Sequence, residues 1–149
     1  MADQNAVNLF LVISTIALWG IVICLTGIHI REFWKKRTQL TALVLNEQGK
    51  IRDEYLLGKQ KEILIGKSTP AKMVHIDFSD SAYAGSIQEE HASFLRYGSC
   101  WYICAKAEKG MVGLRQSGGE VVYKLRRNIP YRIQSGDIVF ISYEKIVIQ

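Results

Sequence analysis

The segment from Leu9 to Ile28, LFLVISTIALWGIVICLTGI, runs for twenty residues without a charge. An α-helix rises about 1.5 Å per residue, so such a run matches the roughly 30 Å hydrocarbon core of a bilayer, where each backbone polar group must be satisfied within its own segment. The sequence therefore predicts a short extracytoplasmic stretch over 1–8 and one transmembrane helix over 9–30. A cleaved signal peptide is the competing assignment, and its marks are missing. MADQNAVN holds one acid and no Lys or Arg, and Ile28-His29-Ile30-Arg31 lacks a small-x-small cleavage pattern. Arg31, Lys35, Lys36 and Arg37 follow the span directly. Flanks rich in Lys and Arg stay cytoplasmic, which predicts a single-pass cell-membrane protein with its N-terminus outside and its C-terminal bulk inside. Phe33 and Trp34 suit the interfacial aromatic belt, and the four cations suit anionic head groups, so the lipid bilayer is the first expected partner.

Within the span, Ala17, Gly20, Cys24 and Gly27 are spaced three, four and three residues apart, which puts small side chains on one helix face. Small faces let transmembrane helices approach closely, making these residues candidates for self-association. Residues 31–39 contain no Gly or Pro and read as a basic helical stalk continuing the span.

Residues 40–149 are enough chain for one domain with its own core and too little for two. Setting aside the stalk cations, Asp3 and Glu32, the 19 Lys and Arg and 14 Asp and Glu of the chain leave fifteen against twelve. This near balance argues against nucleic acid as a partner. The sole basic cluster, Lys124, Arg126 and Arg127, has few aromatics beside it to stack bases and reads as a solvated strand face. Three cysteines, an odd number, do not make a disulfide scaffold and agree with a reducing compartment. In one strand, Cys100 and Cys104 would stand about 13 Å apart, beyond disulfide reach. His29, His75 and His91 are too scattered to make a metal site with the cysteines, and nothing calls for a cofactor.

Past the stalk the hydrophobic period changes to short β-type runs. They cover 41–45, 54–57, 62–65, 73–78, 92–97, 101–105, 111–115, 121–125, 131–133, 138–142 and 145–148, with turn residues such as Gly49, Gly98, Lys109-Gly110, Ser117-Gly118-Gly119 and Ser135-Gly136-Asp137 between them. About eleven short strands without a long amphipathic helix predict an all-β sandwich or barrel. Enzyme chemistry finds no footing. Gly66-Lys67-Ser68 imitates the end of a P-loop, but Lys61 stands where its first glycine is required and Thr69-Pro70 follows in place of a helix. Asp77, Ser86 and His91 have no nucleophile-elbow spacing.

Ile63-Leu64-Ile65-Gly66-Lys67-Ser68, Val74-His75-Ile76-Asp77-Phe78, Glu90-His91-Ala92-Ser93-Phe94 and Gln134-Ser135-Gly136-Asp137-Ile138-Val139-Phe140-Ile141, in that order, resemble the forkhead-associated (FHA) domain over 40–149. The resemblance implies an eleven-stranded β-sandwich that binds phosphothreonine peptides through loops at one end. It also implies that Gly66 and His91 are structural, with His91 supporting the binding loop. At the phosphate-binding positions the sequence departs from the family. Lys67 stands where an Arg is usual, keeping the charge but losing the bidentate fork. Ser68 follows it. Gln88 stands at the position of the phosphate-binding Ser and Glu89 at that of a frequent basic residue, with Glu90 next. Carboxylates beside a dianionic phosphate repel it. The peptide-fixing Asn expected near Gly110 to Arg115 is missing. Ser86 is the candidate replacement hydroxyl, and Tyr83, in the same loop, is a candidate partner anchor.

These residues predict a non-catalytic, membrane-tethered interaction module, a degenerate FHA domain that positions protein partners at the cytoplasmic membrane face independently of phosphate. One alternative is an active phosphothreonine reader in a Ser/Thr kinase pathway, using Lys67 and Ser86. Another is a structural subunit of a membrane complex. Small membrane-tethered FHA proteins resemble bacterial components of secretion, division or cell-wall machinery, which suggests membrane-associated protein partners of that kind.

Overall fold

The computed structural model describes residues 4–37 and 39–149. The chain divides into a helical unit and a β unit that begins at Gln39. Helix α1 spans Gln4–Arg37, 34 residues or about 51 Å at the helical rise. Its stretch Leu11–Ile28 is long and apolar enough to cross a membrane. The hydroxyls of that stretch are satisfied internally: Ser14 and Thr15 donate to the Leu11 carbonyl, and Thr26 donates to Val22 and Ile23. Such i−3 and i−4 bonds remove the need for water along an apolar helix.

The β unit contains the eleven strands that the hydrophobic period predicts. They are β1 (Leu40–Leu45), β2 (Ile51–Leu57), β3 (Glu62–Gly66), β4 (Ile76–Asp77), β5 (Ala92–Tyr97), β6 (Cys100–Ala105), β7 (Val112–Arg115), β8 (Tyr123–Lys124), β9 (Pro130–Ile133), β10 (Ile138–Ile141) and β11 (Glu144–Ile148). Two sheets form, in the orders β2-β1-β11-β10-β7-β8 and β4-β3-β5-β6-β9. Every pairing is antiparallel except β3 with β4. The first and last strands pair with each other, Ala42 opposite Ile148 and Leu45 opposite Lys145, so the two ends of the β unit are fixed in one sheet.

Alternate residues of facing strands supply the core: Ala42, Val44, Ile63, Ile65, Phe94, Ile103, Val139, Ile141, Ile146 and Ile148, closed by Phe78 from the loop after β4. At roughly 25 cal/mol per Å2, burial of these side chains is the main stabilising term. Buried Asp137 holds the turn before β10 by accepting the N–H groups of Ser117 and Gln134, each at 2.8 Å. Cys104 is buried beside this core and Cys100 is half-buried. Two strands are shorter than the period predicts. The 73–78 run pairs only at Ile76–Asp77, because residues 69–72 turn back in a Thr69–Lys72 bridge, and the 121–125 run pairs only at Tyr123–Lys124.

Candidate functional site

The loops after β3, β4, β6 and β8 enclose an open groove of about 730 Å3, lined by Lys67, Ile87, Gln88, Glu89, Glu90, Lys106, Glu108, Arg127 and Asn128. Its floor depends on a close backbone approach. A Cβ on Gly66 would lie 2.2 Å from the Glu89 carbonyl oxygen and 2.7 Å from that of Gln88, so only glycine lets β3 pass beneath the β4–β5 loop. The Lys67 N–H then donates to the Gln88 carbonyl at 3.2 Å.

His91 is the support of this loop. Its ring is fully buried; Nδ1 accepts the Gln88 N–H at 3.1 Å and Nε2 lies 3.3 Å from the Met111 carbonyl. That pairing requires the neutral ring with its proton on Nε2, donating to Met111. Burial pushes the imidazole below its ordinary range, against a smaller upward pull from the Met111 carbonyl. Gly110 makes room for the ring: it adopts φ +101°, and a Cβ there would sit 2.4 Å from His91 Cε1. The His91 carbonyl accepts the N–H groups of Lys106 and Ala107, so a single residue joins the β4–β5 and β6–β7 loops.

Three cations and three carboxylates line the groove, and most are paired with each other or with neighbours. Lys106 meets Glu62 at 2.5 Å and Glu90 at 4.0 Å, Lys72 pairs with Glu90, and Arg127 pairs with Glu108 at 3.0 Å while its Nε donates to the Lys106 carbonyl. Among the described residues, Lys67 is the groove cation without an ion-pair partner. The Gln88 side-chain oxygen accepts the Glu108 N–H at 3.0 Å, so this amide fastens the β6–β7 loop.

Of the residues predicted from sequence, Lys67, Gln88 and Glu89 come together in the groove, while Ser68 and Ser86 do not line it. Ser68 gives its N–H to Asp77 at 3.0 Å and accepts the Val74 N–H at 3.2 Å. Burial would raise the Asp77 carboxyl, but hydrogen bonds from Ser68 and Ser79 outweigh it and hold the group down at about 2. Ser86 donates its hydroxyl to the Tyr83 carbonyl at 2.9 Å. Lys106, Glu108, Arg127 and Asn128 are groove residues that sequence reasoning missed. Arg126 and Arg127 lie past the end of β8, not on a strand face, and Arg127 reaches the groove through a bridge to Ala105. Asn128 had one sequence signal: it is an Asn two residues before Pro130, and it adopts φ 60°, a left-handed conformation Asn tolerates better than most. On α1, Ala17 and Cys24 are exposed, and open space surrounds the positions where Gly20 and Gly27 would carry a Cβ. Among the described residues no group of three His, Cys, Asp or Glu could hold a metal ion.

The two-sheet sandwich has the fold of FHA domains. The FHA domain of a Chlamydia trachomatis protein matches it with a TM-score of 0.54 at 19% identity, covering 74% of this chain and 95% of that one. The FhaA FHA domain, solved in complex with the intracellular domain of another protein, matches with a TM-score of 0.53 at 11% identity, covering 74% of this chain and 99% of that one. The FHA domain of human APLF, solved with a bisphospho peptide, matches with a TM-score of 0.54 at 13% identity, over 74% and 96%. No family model and no curated protein matches the sequence. At such identities the likeness establishes the fold alone, and the chemistry must be read from this chain's own groove.

Proposed function

We propose that this chain is a non-catalytic interaction module, tethered by α1 to the cell membrane with its sandwich on the cytoplasmic face, which positions membrane-associated protein partners without reading phosphate. One observation carries the proposal: the groove is electrically satisfied from within. Lys106 and Arg127 are engaged by Glu62, Glu90 and Glu108, and the Gln88 side chain is spent on the β6–β7 loop. A phosphate dianion entering there would face Glu89, Glu90 and Glu108 with a single unpaired Lys67 and no free guanidinium fork. The positive-inside pattern after residue 31 supports the orientation. The small face of Ala17, Gly20, Cys24 and Gly27 supports self-association through the helix.

The second reading, an active phosphothreonine reader, is favoured by Lys67 itself, which lacks an ion-pair partner among the described residues. Titration of the detergent-solubilised full chain with a phosphothreonine peptide library separates the two. The module reading expects no saturable binding that depends on phosphate. Micromolar binding abolished by Lys67→Ala would sink it.

A further inference from the structure

On the other flank of the β4–β5 loop, three turns meet in a second pocket of about 460 Å3, whose lining includes Asn46, Glu47, Tyr83, Tyr143, Glu144 and Lys145. It shares no residue with the Lys67 groove. Tyr83 and Tyr143 face each other there with ring centroids 5.1 Å apart and planes tilted by 41°. Tyr143 is 70% exposed, unusual for a large aromatic on a sandwich turn. The backbone holds it outward. Ser142 adopts φ 55°, a left-handed conformation costly for a residue with a side chain, and is locked there by its N–H on the Met111 carbonyl and its hydroxyl on the Ser86 carbonyl.

The acidic wall is equally preset. Glu144 is only 7% exposed, and its Oε1 accepts the Ser81 hydroxyl. Among the described residues Glu144 has no cationic partner, and its second oxygen no hydrogen-bond donor, although it lines the pocket. Glu47 lines the same pocket, on a turn that Asn46 fixes by accepting the N–H groups of Gln48 and Lys50 at 3.0 and 2.8 Å. A carboxylate fixed in this way, with a hydroxyl as its partner, offers a preset negative charge to a cation entering the pocket.

We propose that Tyr83, Tyr143, Glu47 and Glu144 form a docking pocket for a Lys or Arg side chain on a basic segment of a partner protein. The ring faces attract the cation and the two carboxylates pair with it, against one opposing charge on Lys145. Tyr83 then serves as the partner anchor its exposure invites, and because its loop also carries Gln88 and Glu89, the pocket belongs to the same end of the sandwich as the groove. The inference deepens the reading of the chain as an interaction module.

The test is calorimetric titration of the detergent-solubilised full chain with acetylated Gly-Arg-Gly and Gly-Lys-Gly amides, with norleucine and proline tripeptides as controls. Expected are saturable binding of the Arg and Lys peptides that weakens as salt rises, loss of about fivefold in affinity on Tyr143→Ala, retention on Tyr143→Phe, and weakening on Glu47→Gln. Tyr143 and Glu47 are exposed, so unchanged melting temperatures accompany these variants. Binding of the norleucine or proline peptide as tight as that of Arg overturns the proposal, as does no Arg binding at millimolar peptide or an unaffected Tyr143→Ala variant. Those failures leave the module reading standing, since that reading is tested separately by the phosphothreonine library and Lys67→Ala.

Discussion

Replacing His91 with Ala removes the buried side chain that ties the β4–β5 loop to Met111, the residue before β7. The ring is fully buried, so its loss leaves a cavity that the surrounding sheet cannot close, costing about 2–3 kcal/mol. The Gln88 N–H also loses its acceptor and stays unsatisfied, adding about 1–2 kcal/mol. The total, about 3–5 kcal/mol, lowers the melting temperature of a domain this size by roughly 12–25 °C. Near-UV circular dichroism of the detergent-solubilised chain reads it. A pH arm isolates the ring. In the folded state the imidazole is held below its ordinary value. Below about pH 6.5 the unfolded chain therefore takes up a proton that the folded chain refuses, and stability falls as pH falls, by up to about 1.4 kcal/mol per pH unit. Above that value both states are neutral and the full contribution is present. The wild-type advantage over His91→Ala should therefore shrink from pH 7 toward pH 5. A variant within about 1 kcal/mol of wild type, or an advantage that stays constant over that range, would show that the His91 ring does not hold the loop.

Gly66→Ala forces the Cβ against the Glu89 and Gln88 carbonyls and should cost about 2–3 kcal/mol in urea denaturation, with the groove amides losing hydrogen-exchange protection. Asp77→Asn weakens the acceptor shared by Ser68 and Ser79, lowering stability by about 1–2 kcal/mol at pH 7. Because the folded carboxyl titrates at about 2, that difference is present above about pH 4 and fades as pH drops toward 2, as an acid series of denaturant melts would report. Arg127→Ala breaks an exposed pair with Glu108 and an exposed hydrogen bond to the Lys106 carbonyl, and should change stability by less than about 1 kcal/mol, measured in the same melts.

Strand existence was legible because period-2 runs bounded by Gly and Ser-Gly-Asp turns leave little choice of element. The limits were less so. The 73–78 run is apolar enough for a full strand, yet the Thr69–Lys72 bridge and the His75 N–H bond to the Leu64 carbonyl consume its N-terminal part, a tertiary effect invisible in the run itself. In the groove, Lys67, Gln88 and Glu89 could be read because they lie within a few residues of Gly66 and His91. Lys106, Glu108, Arg127 and Asn128 arrive from loops that are remote in sequence, and only the pairing of β6 with β5 and β9 brings them there. Tyr83 was visible as a loop aromatic. Its partner Tyr143 sits 60 residues later, on a turn whose left-handed Ser142 no composition rule would flag.

The most direct test of the central claim is affinity capture of the full chain, with in-membrane crosslinking, from carbonate-washed membranes before and after phosphatase treatment. A phosphate-independent membrane module stays in the membrane pellet and captures the same crosslinked partner chains, in equal yield, with or without phosphatase and with or without Lys67→Ala. Release of the chain by carbonate, or loss of the captured partners on phosphatase treatment or on Lys67→Ala, would contradict it.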